Sequence, residues 1–232
     1  MAGTEASAAR YERKFSVSDL DLAEVRSILR RHPAVFIEAY PPRYVNNLYL
    51  DTPWMTHYMD NIDGSPERMK VRLRWYHELR RPVKQPVLEF KIKRGLVGWK
   101  EAYPFPAFEI GPDLTSPGLR ALLGRSALSA RVKDRLAGHR PTLVNRYRRE
   151  YFVTHDGCFR VTIDGELTNF WVRPMSSALF ARVEDHGVVI VELKYDHPHE
   201  RQAERVASLF PFRMTRSSKY VRGVDCFGAC AS

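Results

Sequence analysis

Charged residues recur at every second position in segments that otherwise read as apolar strands. Glu12 and Lys14 share a face at this spacing, as do Arg72 and Arg74, and Glu89, Lys91 and Lys93. The same holds for Tyr147 and Arg149, Arg160 and Asp164, and Glu192 and Lys194. Alternate residues of a strand point to opposite sides of its sheet. Between the charges stand Val71, Leu73 and Trp75; Leu88, Phe90 and Ile92; Val161 and Ile163; Val191 and Leu193. A sheet patterned this way is expected to curl around a polar interior. Lys and Arg predominate there, so the fitting occupant is a polyanion. Arg offers bidentate donors to phosphate oxygens, and Lys a compact point charge.

A dry core of unpaired cations is not viable, because each buried charge costs several kcal/mol. A closed barrel wide enough for water or a ligand relieves that cost. The competing reading is a solvated lattice of cross-strand charges. For one pair such as Arg72 and Arg74 the lattice is the better reading; repetition over many segments favours the enclosed interior.

Glu192 lies in the strongest apolar run, Val188-Val-Ile-Val-Glu-Leu-Lys194. A carboxylate facing phosphates in a cationic interior is a natural ligand for Mg²⁺ or Mn²⁺, which bind through one or two carboxylates plus substrate oxygens. It is equally an ion-pair partner for a neighbouring cation. Glu12 is a second candidate ligand with the same two readings. Thr215-Arg-Ser-Ser-Lys-Tyr220 sets hydroxyls and cations at an expected helix start, where free N–H groups attract anions and where Ser is also an ordinary N-cap. His197-Pro198-His199 lacks partners for a metal clip and reads as a loop before a helix. No nucleophile motif, Walker A loop or dinucleotide fingerprint is present.

The elements that must position these groups follow from periodicity and turn signals. Strands are expected at Arg10–Phe15, Tyr44–Asp51, Met69–His77, Val87–Lys93, Lys100–Tyr103, Leu143–Val153, Cys158–Asp164 and Val188–Tyr195. A helix capped by Ser18 carries the stripe Leu22, Val25, Ile28 and Leu29 and ends at His32-Pro33. Helical spacing returns at Leu119–Leu123, Leu128–Leu136, His199–Leu209 and Ser217–Phe227. The stretch Trp54–Pro66 reads as turns, and Asp156-Gly157 as a hairpin turn. The expected class is α+β: a closed antiparallel β-barrel tunnel with a basic interior and flanking helices, forming a single domain over 10–232 behind a disordered tail at 1–9.

The 232 residues are 44% hydrophobic, enough for a sizeable core. Lys and Arg number 37 against 27 Asp and Glu, a formal net charge of +10. That excess fits nucleic acid, lipid headgroups, nucleotides or phosphate chains alike. Nucleic acid is the weaker fit, because the charges read as enclosed and not spread on one surface. The three cysteines follow no metal spacing and imply a reducing compartment. No apolar run approaches the ~20 residues of a spanning helix. The expected location is the cytoplasm.

Taken together, several segments resemble the catalytic domain of the vacuolar transporter chaperone family, polyphosphate polymerases within the triphosphate tunnel metalloenzymes. They are Arg10-Tyr-Glu-Arg-Lys-Phe15, Val45-Asn-Asn-Leu-Tyr-Leu-Asp-Thr52, Arg68-Met-Lys-Val-Arg-Leu-Arg-Trp-Tyr76, Leu88-Glu-Phe-Lys91, Arg146-Tyr-Arg-Arg149, Arg160-Val-Thr-Ile-Asp-Gly-Glu-Leu167, Val191-Glu-Leu-Lys194 and Ser217-Ser-Lys-Tyr-Val-Arg-Gly223. The resemblance implies phosphate contacts from Lys14, Arg72, Arg74, Lys91, Arg149, Arg160, Lys194 and Lys219. It implies supporting contacts from Tyr147, Arg216 and Ser218, a further lysine at Lys100, a weaker role for Lys93, and a metal on Glu192. The wider superfamily opens with Glu-x-Glu-x-Lys; here Arg10 holds the first position, which favours the polymerase-like branch. The implied activity is Mn²⁺- or Mg²⁺-dependent phosphoryl transfer from ATP or another nucleoside triphosphate to a growing inorganic polyphosphate chain. A triphosphatase of the same fold, or a module that binds polyphosphate without turnover, remain the alternatives.

Overall fold

The computed structural model describes residues 11–79, 82–95, 97–173, 179–185 and 187–228; the expected tail at 1–9 lies outside them. Among the described residues one antiparallel sheet holds nine strands. They are β1 (Tyr11–Val17), β2 (Phe36–Asp51), β3 (Glu67–Tyr76), β4 (Val87–Arg94), β5 (Val97–Pro104), β6 (Arg140–Thr154), β7 (Phe159–Val172), β8 (Leu179–Asp185) and β9 (Val189–Tyr195). Their order across the sheet is β1-β9-β7-β6-β2-β3-β4-β5. β7 is long enough to pair with β9 over Phe159–Asp164 and with β8 over Leu167–Val172.

The sheet curls but does not close, which corrects the expectation of a closed barrel. No backbone pairing joins β1 to β4 or β5 among the described residues. The outer edge of β1 is taken instead by a C-terminal segment: Phe15 bridges Met214, Thr215 N–H donates to Lys14 O at 2.8 Å, and Ser16 N–H donates to Thr215 Oγ1 at 3.0 Å. With those groups satisfied, a further strand has no ladder to join.

The alternation read from sequence produces the two faces. On the convex side, Val71, Leu73, Leu88 and Phe90 pack beneath α3 (Ser116–Arg125) and α4 (Ala130–Arg135). Leu73 and Leu88 are fully buried, each contributing about 1.5–3 kcal/mol of hydrophobic stabilisation. A second core joins Phe15, Val161, Ile163, Val191 and Leu193 to α1 (Leu22–Arg30) and α5 (Glu200–Ser208). The N-cap of α1 is Asp21, not Ser18: Glu24 N–H donates to Asp21 Oδ1 at 2.8 Å, and Asp21 N–H donates to Glu24 Oε2 at 2.7 Å. This reciprocal box satisfies two orphan donors, which the Ser18 register would not.

The stretch read as turns contains α2 (Thr56–Ile62). Its cap is tertiary. The Asp51 carboxylate, fully buried at the end of β2, accepts from His57 N–H at 2.9 Å and Tyr58 N–H at 3.0 Å. It also accepts from Thr52 N–H at 2.7 Å and from the Tyr220 hydroxyl at 2.5 Å, on α6 (Lys219–Asp225). Tyr49, Leu143, Tyr58, Tyr220 and Val224 form an apolar plug where α2 and α6 cover one end of the concave face. Strand β8 was not expected, and β2 and β7 run longer than expected. None of the described helices is long and apolar enough to cross a membrane.

Candidate functional site

Directly opposed residues in an antiparallel ladder share a face, so the register can be followed from strand to strand. Glu12 and Lys14 on β1 oppose Lys194 and Glu192 on β9. Those oppose Arg160 and Thr162 on β7, while Asp164 opposes Arg149 on β6. Across β6 and β2, Tyr147 opposes Val45 and Asn145 opposes Asn47; Asn47 then opposes Arg74 on β3. Arg72 opposes Glu89, Lys70 opposes Lys91, and Arg68 opposes Lys93 on β4; Lys91 opposes Lys100 on β5. One continuous polar face therefore crosses eight strands.

That face is concave. β1 and β4 stand six places apart in the sheet order, a separation of about 29 Å were the sheet flat. Yet Lys91 Nζ on β4 lies 3.2 Å from Glu12 Oε2 on β1. The sheet folds over until side chains from its two ends meet.

Four carboxylates organise the cations. Glu192, 5% exposed, lies 3.0 Å from Lys194, 3.4 Å from Lys14, and 3.5 Å from both Arg149 and Lys219. Asp164 holds Arg149 bidentately at 2.6 Å and Lys219 at 2.6 Å. Glu89 holds Arg72 at 2.6 Å, Lys100 at 3.0 Å and Arg74 at 3.6 Å. Glu12 lies between Lys14 at 3.0 Å and Lys91 at 3.2 Å. Burial opposes ionisation of each carboxylate, but the surrounding cations outweigh it. Glu192 is held well below the usual carboxylate range by Lys194, Lys14, Lys219 and Arg149. Burial and Glu192 both push Glu12 up, yet Lys14, Lys91 and Lys194 hold it at about 2.

Tyr147 is buried, its ring 5.3 Å from the Arg149 guanidinium and 4.9 Å from Lys219 Nζ. Burial raises its hydroxyl pKa, and Arg149, Arg74 and Lys219 more than reverse that. Lys93 is half-buried on the same face. Arg160 is on the face but exposed, opposite Lys194. Arg216 is exposed on the segment that edges β1, near enough to help depress Lys93. Ser218 serves as the N-cap of α6, its hydroxyl accepting from Val221 N–H at 3.4 Å. Helix α6 thus delivers Lys219 into the face, and its Gly223 lets the helix approach β6 and β7 closely.

The structure adds residues to those expected. Asp164 and Glu89 anchor the cations; both stood in the charge alternation but were not assigned a role. Lys70 was missed although it continues the same alternation, Arg68-x-Lys70-x-Arg72-x-Arg74. Asn47 donates to Asn145 at 2.8 Å and accepts from Arg74 at 3.0 Å.

Could this face hold a divalent cation? Among the described residues no three His, Cys, Asp or Glu side chains cluster to form a metal cage. Glu192 and Glu12 do face one another across Lys14, close enough for the Glu192 charge to push the Glu12 pKa up. Glu12 Oε1 is buried, with Lys14 Nζ at 3.0 Å as its partner. A donor set of two carboxylates, completed by phosphate oxygens, matches how Mg²⁺ and Mn²⁺ bind.

Fold and face together define a curled antiparallel sheet with a cation-lined concavity. The chain belongs to the VTC domain family, which it matches over residues 9–227. No functionally curated protein matches it. Among solved structures, a candidate adenylate cyclase from Vibrio parahaemolyticus is similar at 15% identity and a TM-score of 0.50, over 92% of this chain and 97% of that one. The Vibrio protein shares the fold. The PH1819 protein from Pyrococcus horikoshii OT3 is similar at 12% identity and a TM-score of 0.48, over 94% and 98%. A candidate adenylyl cyclase from Hippeastrum, HpAC1, described with a dominant triphosphatase activity, is similar at 16% identity and a TM-score of 0.49, over 94% and 96%.

Proposed function

We propose that the concave face binds the phosphates of a nucleoside triphosphate such as ATP and transfers the γ-phosphoryl group to the end of an inorganic polyphosphate chain. The observation that carries this reading is the continuous polar face, where cations outnumber carboxylates and approach from strands at both ends of the sheet. Membership of the VTC domain family supports it.

In this mechanism Arg72, Arg74 and Lys100 grip phosphates from one wall, and Lys14, Arg149, Lys194 and Lys219 from the other. The carboxylates hold these cations in place before substrate arrives, so little reorganisation is needed as charge develops. Phosphoryl transfer asks mainly for positioning and charge stabilisation of this kind. Arg149 is clamped bidentately by Asp164, and its remaining donors reach toward Glu192. Tyr147 supports Arg149 and Lys219 from below. Lys91, Lys93, Arg160 and Arg216 line the more exposed margin, and the nucleoside base rests at the mouth. Glu192 and Glu12 would hold Mg²⁺ or Mn²⁺, whose charge neutralises phosphoryl oxygens when bound.

The test is incubation of purified protein with ATP and Mn²⁺, with products resolved on a gel for polyphosphate and by phosphate assay. A polymer ladder with ADP is expected. Free phosphate without polymer would reassign the protein as a triphosphatase. Binding without turnover would make it a polyphosphate-binding module. Glu192→Gln should abolish turnover while phosphate binding persists.

A further inference from the structure

The carboxylates of the concave face are distributed unevenly. Glu89 serves Arg72, Arg74 and Lys100; Asp164 serves Arg149 and Lys219; Glu192 serves Lys14 and Lys194. Arg68, one place beyond, donates to the Gly64 and Ser65 carbonyls. Lys70 and Lys93 are half-buried on the same face, yet among the described residues neither has an ion pair or a hydrogen bond. Lys70 stands directly opposite Lys91, whose single carboxylate contact is Glu12. The charges that act on Lys70 are Lys91, Lys14, Arg68 and Arg72, all cations. Burial and these neighbours together drive it well below the ordinary lysine value. Lys93 is lowered in the same direction by burial, Arg68, Arg216 and Lys14, with Glu12 opposing.

A half-buried cation without a counter-ion is destabilising unless an anion supplies one. The triphosphate-gripping cations already have their carboxylate frame; in this corner Glu12 pairs with Lys91 and leaves Lys70 and Lys93 without an ion pair among the described residues. Lys70 lies two residues from Arg72 along β3, about 6.7 Å, so an anion here adjoins phosphates held by Arg72 without sharing its place.

We propose that Lys70, flanked by Lys91 and Lys93, forms the acceptor subsite, which holds the terminal phosphates of a linear polyphosphate chain beside the donor triphosphate. This rests on the phosphoryl-transfer reading above. In the step it serves, an oxygen of the chain's terminal phosphate forms a new bond to the γ-phosphorus. The bond from that phosphorus to the β,γ-bridging oxygen breaks, and its electron pair leaves on the nucleoside diphosphate. An ionised terminal phosphate has no proton to lose, so the subsite calls for cations and not for a base. An attacking water would need a proton acceptor, and Glu12, the carboxylate in contact with Lys91, is engaged by Lys14 and Lys91.

The experiment compares wild type with Lys70→Met and Lys70→Arg. It measures affinity for tripolyphosphate and for a long linear polyphosphate, and the ratio of polymer to free phosphate made from ATP. Lys70→Met should lose long-chain affinity on the order of tenfold more than tripolyphosphate affinity. Its product ratio should fall to a similar extent, and Lys70→Arg should restore both. Ligand-free Lys70→Met should melt no lower than wild type, which separates a binding defect from a folding defect. Equal losses on the two ligands, or no loss on either, would overturn the subsite. If wild type itself neither makes polymer nor binds long chains, the phosphoryl-transfer reading fails first, and that is visible before any variant is compared.

Discussion

Lys91 Nζ and Glu12 Oε2, 3.2 Å apart, join two strands that share no backbone hydrogen bond among the described residues. The curled sheet is bridged by side chains where a barrel would be bridged by peptide groups. Such a bridge is soft. The Lys91 side chain is 50% exposed, and a pair of this kind is worth about 0.2–1 kcal/mol.

The same contact sets a pH dependence. Lys14 leads in lowering Lys91 to about 8, with Glu12 opposing. An unfolded chain binds this proton up to the ordinary value of 10.5. Unfolded protein therefore carries more protons across that window, and ligand-free stability rises with pH through it. Tripolyphosphate affinity should move the other way, weakening as Lys91 discharges above about 8. Lys91→Arg should remove the basic limb, and Glu12→Gln should shift it to lower pH. A limb unchanged in Lys91→Arg would show that another group titrates.

Glu192→Gln should also be costly in the absence of ligand. Its side chain is 7% exposed and neutralises Lys194 and Lys14 while sharing Arg149 and Lys219. Removing one side of a buried ion cluster costs about 3–5 kcal/mol. Urea denaturation would read that loss, and added tripolyphosphate should recover much of it by mass action. A variant as stable as wild type would mean that the cluster is well hydrated.

Gly223→Ala should weaken both fold and site. A Cβ there would sit 2.5 Å from Leu143 Cδ2 and 2.7 Å from Asn169 Oδ1. Overpacking of this sort costs about 1–3 kcal/mol. Because Lys219 precedes Gly223 by one turn of α6, tripolyphosphate affinity should fall alongside the unfolding midpoint. Loss of stability with affinity intact would indicate that α6 shifts without carrying Lys219.

Acid should loosen the covered end of the face. His57 Nε2 and His139 Nε2 lie 2.8 Å apart, so a single proton serves both nitrogens. Burial lowers both pKa values; Asp51 and Asp60 oppose this at His57, while His57 adds to it at His139 and Asp51 opposes it there. The unfolded chain takes up protons near the ordinary 6.5 that the folded chain refuses. Stability present above that value is therefore lost as pH falls below it. Unfolding midpoints between neutral and mildly acidic pH should show a slope that lessens in His139→Gln.

Much of the site was legible because a strand's two-residue period is a local property. Arg72, Arg74, Lys91, Arg149, Lys194 and Lys14 all fall on the face that their spacing predicted. An ordinary serine cap was one of two readings of the stretch before α6, and Ser218 fills that place. Lys70 carried the same signal, but its run was read only from Arg72 onward. Helix α2 carried no comparable signal, because its cap is Asp51, held in place by Tyr220 from the far end of the chain.

The sequence by itself determined the two faces of the sheet, the cationic character of one and the helices that cover the other, since all of these follow from residue order within single elements. Tertiary structure alone decided that β1 pairs with the segment at Met214 and Thr215 instead of closing a barrel. It also decided which carboxylate serves which cation. Those outcomes depend on how far the sheet curls, and curl is the sum of small twists across many strands that no short stretch of residues encodes. Lys70 and Lys93 are left without an ion pair among the described residues for that reason: Glu12 comes over far enough to pair with Lys91, and its charge reaches Lys93 only from a distance.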